Sequence, residues 1–419
     1  IQISSSLRPR AQPYPLTVSR LAVQISRCLS APDLSAGSRL QAQKAQPSQV
    51  WREMHRRFLN LVMHDNVHST GALFRMDLKH LFYESAAIAE QAAQANAKNK
   101  LSALSMIQSC NGFRKQPLLN FKPSNFFTLL RESSILMADC SGRTQLIDSD
   151  FKSFLPMSRM KNGKGPNCVC FSIPSHDPFD SLDSQYLFVL NLVPGSSTKS
   201  SFEVLNYVRS DLSQPLVSSD SDMNWFWRAL PLPPFVDDPV YSTSTKMCSS
   251  MVLGRSTICV SSMEEGVGTY TFDTDSHEWS QAGNWVLPFC GNAEYVPELK
   301  RWFALSASSP HTHSMCSLDL PAMGIELPPE VQCTWDYLYL PEQSPYKRHL
   351  LNMGSGKFCI VSFFKTLESV GLDKMIEDES VVFTGVEVCR CNSGEDAVRM
   401  INHMSKRYSC GTYRIHCVL

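Results

Sequence analysis

His311, His313 and Cys316 lie close together, and imidazole and thiolate are ligands that zinc takes. No fourth ligand stands at an obvious spacing, and Pro310 with its flanking serines reads as a surface loop, so no metal site is expected. Cys168/Cys170 and Cys389/Cys391 are C-x-C pairs, not the C-x-x-C of zinc knuckles and redox motifs. On a strand, positions i and i+2 share a face, so each pair is expected to pack two small side chains on one side. Gly354-Ser355-Gly356-Lys357 resembles a phosphate-binding loop, but such a loop needs glycine where Leu351 stands and a hydroxyl where Phe358 stands. A β-turn is expected there.

Neither G-x-S-x-G nor H-E-x-x-H occurs. The acidic clusters Asp237-Asp238, Glu264-Glu265 and Glu377-Asp378-Glu379 read as solvated turns, and Ser405-Lys406-Arg407-Tyr408 is too short a basic run for nucleic acid. No catalytic, cofactor-binding or metal-ligating residue is assigned, and no cofactor is expected.

The chain has 419 residues, zero net charge, 43% hydrophobic and 19% charged residues. Balanced charge supplies no counterion-release term, which argues against duplex DNA and an anionic membrane as partners. Apolar runs such as Phe358–Phe364 fall well short of the ~18 residues that span a bilayer. The 15 cysteines mostly sit inside apolar runs, as small hydrophobes in a reducing compartment. With no apolar h-region and no Asn-x-Ser/Thr sequon, an intracellular protein, cytoplasmic or nuclear, is expected.

Residues 1–53 are rich in Arg, Ser, Gln and Ala and poor in acids: a disordered or non-native leader, or a transit peptide directing organellar import. From residue 54 to 419, short apolar runs alternate with turn residues, an all-β pattern. Ser134–Ala138, Thr144–Asp148 and Phe154 form one strand-turn-strand sentence, and Thr257–Ser261, Thr269–Asp273 and Trp279 repeat it. Looser copies stand at Phe58–Asp77, Tyr186–Trp227, Trp302–Trp335 and Lys357–His403. A spacing of ~40–60 residues with four short strands per unit predicts a β-propeller of six blades, or seven. Trp227, Trp279, Trp285 and Trp302 are expected to pack between blades, and Asp148 and Asp273 to be turn residues. The Ala-rich run within Ser85–Met106 predicts a helical insertion capped by Ser85. Met160–Pro166, Ser172–Ser184, Ser210–Asp222, Pro321–Pro329 and Thr366–Ser380 are expected loops.

Several stretches carry a family resemblance: Arg56–Val62 with Phe74–Asp77 and Leu81–Tyr83, Tyr270–Thr274 with Glu278-Trp279, Gly283–Phe289, Ala293–Leu299 with Trp302-Phe303, and Leu350–Cys359. From about His55 onward the chain resembles a large family of uncharacterised kelch-like proteins of plants, abundant in grasses. The resemblance implies a kelch-type propeller and no established activity. A monomeric, non-enzymatic module that binds a protein partner through loops on one face is expected. The alternative is an enzyme with its active site in the propeller channel.

Overall fold

The computed structural model describes residues 56–98, 107–110, 117–122, 124–165, 167–174, 184–193, 202–208, 225–237, 246–254, 256–264, 266–308, 312, 314–319, 327–336, 344–369, 375–391 and 397–419. The chain divides into Ile1–Gln46 and Pro47–Leu419, and all of these residues belong to the second unit. The leader expected at 1–53 lies outside the described residues, as do the expected loops at 210–222 and, for the most part, 321–329.

β1 (Phe58–Asp65) and β2 (Thr70–Asp77) form a hairpin. The helix α1 (Ala86–Lys98) and β3 (Ile107–Cys110) follow, and β4 (Leu119–Phe121) then pairs with β2. β5 (Phe126–Leu129), β6 (Ser134–Ala138), β7 (Thr144–Asp148) and β8 (Ser153–Met157) make an antiparallel meander. β9 (Cys168–Pro174), β10 (Ser184–Asn191), β11 (Phe202–Val208) and β12 (Trp227–Ala229) make the next. The same order returns in β13 (Met247–Leu253), β14 (Thr257–Ser262), β15 (Thr269–Asp273) and β16 (Glu278–Gly283). It returns again in β17 (Phe289–Val296), β18 (Arg301–Ser306), β19 (Met315–Asp319) and β20 (Glu330–Trp335). These two meanders touch through a short parallel pairing of Ser249 with Gly291 and Ser250 with Asn292, which joins them into one eight-stranded sheet. β21 (Lys347–Gly354), β22 (Lys357–Ser369), β23 (Met375–Arg390) and β24 (Val398–Ser409) follow, with β3 added parallel to β24. Finally β25 (Tyr413–Val418) pairs with β1, so the last strand completes the first sheet in the order β25-β1-β2-β4.

The apolar residues explain why these sheets gather. Strands such as β6 and β18 are buried almost throughout, whereas β8 and β16, last in their meanders, are mostly exposed or half-exposed. A sheet with both faces covered needs continuous apolar strands rather than alternation. Each sheet is sealed against the next: Val62 and Leu73 meet Ile135 and Ile147, and Leu136 and Leu146 meet Leu187 and Trp227. Phe188 and Phe202 meet Ile258 and Phe272, and Met251 and Cys259 meet Trp302 and Leu318. Phe303 and Met315 meet Phe358 and Val386, and Cys359 and Phe383 return to Leu61 and Phe74 of the first sheet. This closed succession is a propeller-like all-β arrangement. Its aromatics add directional contacts, such as the edge-on Phe202–Phe272 pair at 4.8 Å, each worth about 0.5–1.5 kcal/mol beyond area burial. Trp227 and Trp302 belong to these inter-sheet clusters, and Trp279 and Trp285 pack against them.

The predicted aspartates act as turn residues. Asp148 Oδ1 accepts from the N–H of Asp150 and Phe151 (2.9 and 3.0 Å), and Asp273 Oδ1 from Asp275 and Ser276 (2.9 and 2.8 Å). Asp65 does the same with Val67 and His68 (2.9 and 3.2 Å). In each loop the residue four positions on is left-handed, with φ of 52° at Ser69, 52° at Lys152 and 60° at His277. The carboxylate therefore holds the turn that the following residue strains against.

Ser85 caps α1: its Oγ accepts from the Ile88 N–H (3.3 Å) and its carbonyl from Ala89 (3.1 Å). Ala89 is fully buried, and Glu90 pairs with Arg399 of β24. Two expected loops are corrected. Thr366–Ser380 is largely the arms of β22 and β23, paired as far as Ser369 with Met375; the ladder satisfies the backbone even though its sequence is polar. Ser172–Ser184 begins as strand, since β9 runs to Pro174 beside β10. Among the described residues no helix is long and apolar enough to cross a membrane.

Candidate ligand site at the channel mouth

β25, β5, β9, β13, β17 and β21 each stand at the start of a meander or, for β25, at the inner edge of the closing sheet, and together they line a cavity of about 580 Å³. Cavities of roughly 300–1,000 Å³ hold small ligands. Its apolar wall includes Phe171, Leu187, Val252 and Leu351, with Trp302 and Tyr295 stacked at a tilt, 5.1 Å apart. Tyr295 is 44% exposed, a large ring left partly open beside a cavity.

Charge enters from two elements. Glu294 is on β17, where the register with β18 shifts between Cys290 and Glu294 and aims the carboxyl into the cavity wall. Asn292 Nδ2 donates to Glu294 Oε1 (2.9 Å), and the Ser250 hydroxyl donates to Asn292 Oδ1 (3.3 Å), so the amide is fixed at both ends. Arg56 precedes β1, whose neighbouring Arg57 N–H bonds the Glu132 carboxylate. Burial lowers the Arg56 guanidinium pKa, against the attraction of Glu294 and Glu132. Burial also raises the Glu294 carboxyl pKa, against the Asn292 hydrogen bond and the Arg56 charge. Opposite charges thus share one partly dry space.

Cys170 lines the cavity; it and three thiols buried elsewhere in the fold are poor nucleophiles, because the thiolate is the reactive form. Burial pushes Cys168, Cys316 and Cys417 each up to about 12, and raises Cys170 as well. The Cys168 Sγ lies within hydrogen-bond reach of the Gly165 carbonyl (3.1 Å) and Asn191 Oδ1 (3.0 Å), and Cys170 packs against the cluster of Leu187 and Trp227.

A basic group lies along β21 and β25. His349 is half-buried against Phe363 (ring centroids 5.6 Å apart, edge-on), and burial, then the Lys347 charge, hold its pKa down to about 4. His416 Nε2 approaches the Asn125 carbonyl at 3.1 Å, and burial lowers its pKa too. An unfolded histidine titrates near 6.5. Below about pH 6.5 the unfolded chain takes the proton and the folded His349 does not, so this contribution is complete above about 6.5 and is lost as pH falls towards 4. The expected slope is about 1.4 kcal/mol per pH unit for this group. Urea unfolding of the wild type and His349→Leu at several pH values should show their stability difference changing across pH 6.5 to 4 and constant above 7.

Among the described residues the candidate chemical motifs singled out from the sequence lie apart from this cavity, except Cys170. His311 and His313 lie outside the described residues, while Cys316 is buried with its Sγ donating to the Ala304 carbonyl (3.5 Å). Among the described residues no group of three or more His, Cys, Asp or Glu could hold a metal ion. Cys389 is the penultimate residue of β23, which ends at Arg390, and Cys391 follows the strand directly. Gly354 pairs with Lys357 across Ser355 (φ 52°) and Gly356 (φ 72°), a two-residue hairpin turn. Lys357 is buried beside Glu387 (3.3 Å), which His403 Nε2 also contacts (3.0 Å). Asp237 ends a 3₁₀ turn at Pro234–Asp237, Glu379 is buried under the Tyr346 hydroxyl, and Asp238 and Glu265 lie outside the described residues. Lys406 and Arg407 lie on β24, laddered between β23 and β3. Arg56, Asn292 and Glu294, on the polar side of the cavity, belong to no catalytic or ligand-binding motif, although Arg56 and Glu294 fall within the stretches that carry the family resemblance.

A family described as "Protein of unknown function (DUF1668)" matches residues 56–408. No curated protein matches. Among solved structures, a structural genomics protein of unknown function from Bacteroides thetaiotaomicron is similar at 11% identity and TM-score 0.33, over 58% of this chain and 54% of that one. An auxiliary nutrient binding protein of the same organism is similar at 9% identity and TM-score 0.31, over 67% and 56%. The Myceliophteria thermophila Cps50 (Swd1) beta-propeller domain is similar at 6% identity and TM-score 0.28, over 66% and 86%. The chain thus spans about half the length of the first two.

Proposed function

This chain belongs to the DUF1668 family, and from that premise we propose that it is a non-enzymatic module that binds a protein partner at the mouth of its central channel. The supporting observation is the cavity itself: Arg56 and Glu294 share it beside a half-open Tyr295, while burial holds its lining cysteine, Cys170, in the unreactive thiol form. A polar, aromatic mouth on a rigid strand scaffold is suited to recognition.

The ring has six blades of kelch type in this proposal. Its support is that the eight-stranded sheet is two complete meanders touching at two residue pairs, and that the apolar clusters pass from sheet to sheet and return to the start. The paired strands at Ser134–Asp148 and Thr257–Asp273, each followed by an aromatic, support the repeat, and the motifs from Arg56 to Cys359 support a plant source. The protein acts as an intracellular monomer.

Affinity capture with the full chain and with Tyr295→Ala tests the site. A partner that the wild type retains and Tyr295→Ala loses, reproduced with purified proteins, is the expected result. Equal retention by both would move the contact away from the mouth.

A further inference from the structure

Arg56 and Glu294 interact through charge across the cavity, yet among the described residues neither forms an ion pair within 4.0 Å. Their elements keep them apart. Glu294 is anchored by the Asn292 amide on β17, and Arg56 leads into β1, which the ladders with β2 and β25 fix in place. Arg56 and Glu294 line one cavity without an ion pair between them; an arginine carries five N–H donors, and of the Glu294 oxygens one is taken by Asn292. Charges taken partly out of water without a partner are costly, and the cost is offset only when complementary charge arrives. The rest of the wall fits a small organic body: Trp302 and Tyr295 on one side and the Thr128 hydroxyl on another.

We infer that the cavity takes a short zwitterion, an amino acid or a di- or tripeptide, whose carboxylate meets Arg56 and whose ammonium meets Glu294. Arg56 can hold the carboxylate through two parallel N–H bonds. Glu294, with one oxygen occupied by Asn292, keeps the other for the ammonium. A singly charged ligand would satisfy one wall and leave the other exposed, so the site selects against it. The inference rests on the channel mouth being the recognition site, and it adds to that site a chemical class.

The test is titration calorimetry on the full-length protein with four probes: free tyrosine, the dipeptide Tyr-Gly, Tyr-Gly acetylated at its amine, and Tyr-Gly amidated at its carboxyl. At least one free zwitterion should bind, and each cap should weaken the dipeptide by about tenfold or more, the scale of one charge-assisted hydrogen bond. Tyrosine against Tyr-Gly separates an amino-acid site from a peptide site. Arg56→Gln should abolish the penalty of amidation and Glu294→Gln that of acetylation, with unfolding midpoints checked so that misfolding is not read as lost affinity. Capped and free dipeptides of equal affinity would overturn the inference and leave the mouth as a binding site. No binding of any free zwitterion up to about 10 mM, while Tyr295→Ala still loses the protein partner, would overturn it as well.

Discussion

Glu203→Ala will lower the unfolding free energy by about 3–5 kcal/mol, as for other buried ion pairs broken from one side. Lys164 and Glu203 are both 0% exposed, with Nζ and Oε1 2.6 Å apart. The carboxylate also accepts from the Lys161 N–H (2.8 Å) and the Asn162 N–H (3.1 Å). One side chain of β11 therefore ties down the loop that links β8 to β9. The loop cannot relax in response: at Gly163 an added Cβ would lie 2.0 Å from the Cys140 carbonyl oxygen, so this backbone already sits against its neighbour. Removing the carboxylate takes the ion-pair partner from the buried Lys164 ammonium and the acceptor from two amide donors. Urea denaturation of wild type and Glu203→Ala measures the loss directly. The double variant Lys164→Met with Glu203→Leu should recover part of it, because both charges then leave together while the Lys161 and Asn162 amides still lack their acceptor. A loss below about 1 kcal/mol for Glu203→Ala would mean that water reaches the pair.

Deleting Tyr413–Leu419 should have an effect of the same order or larger, abolishing the single cooperative transition. β25 pairs with β1 from Leu61–Val418 to Asp65–Tyr413, and Asn60 and Leu419 exchange two further backbone hydrogen bonds of 2.9 Å each. Without β25, β1 becomes an edge strand, and Leu61 and Met63 lose the cover that Val418, Ile415 and Tyr413 give them. A long apolar edge of this kind templates association. Thermal unfolding with dye binding and sedimentation should show exposed apolar surface and aggregates in the truncated protein. A sharp transition within a few degrees of wild type would show that the ring closes without its last strand.

The strands were readable because their composition is local information. Ser134–Ala138 and Thr257–Ser262 are continuous apolar runs, since neighbouring sheets cover both faces, and the aspartates ending β7 and β15 bond their own following amides. The arms of β22 and β23 beyond the core were not readable, because their ladder gives no apolar signal. The candidate site was not readable either. Arg56, Asn292 and Glu294 meet only because β1 and β17 come to one cavity from opposite parts of the chain, and no spacing rule records such a meeting. The same holds for Lys164, which stands in an apparently ordinary turn until Glu203 is folded over it.

The pairing of Asp65 with Tyr413 also sets a timetable for biosynthesis. A ribosome adds about 5–20 residues per second, so β1 leaves the exit tunnel on the order of half a minute before the strand that covers it exists. For that interval a row of unpaired amides and a greasy flank of β1 stay open to solvent, and loop-closure entropy delays the last step further.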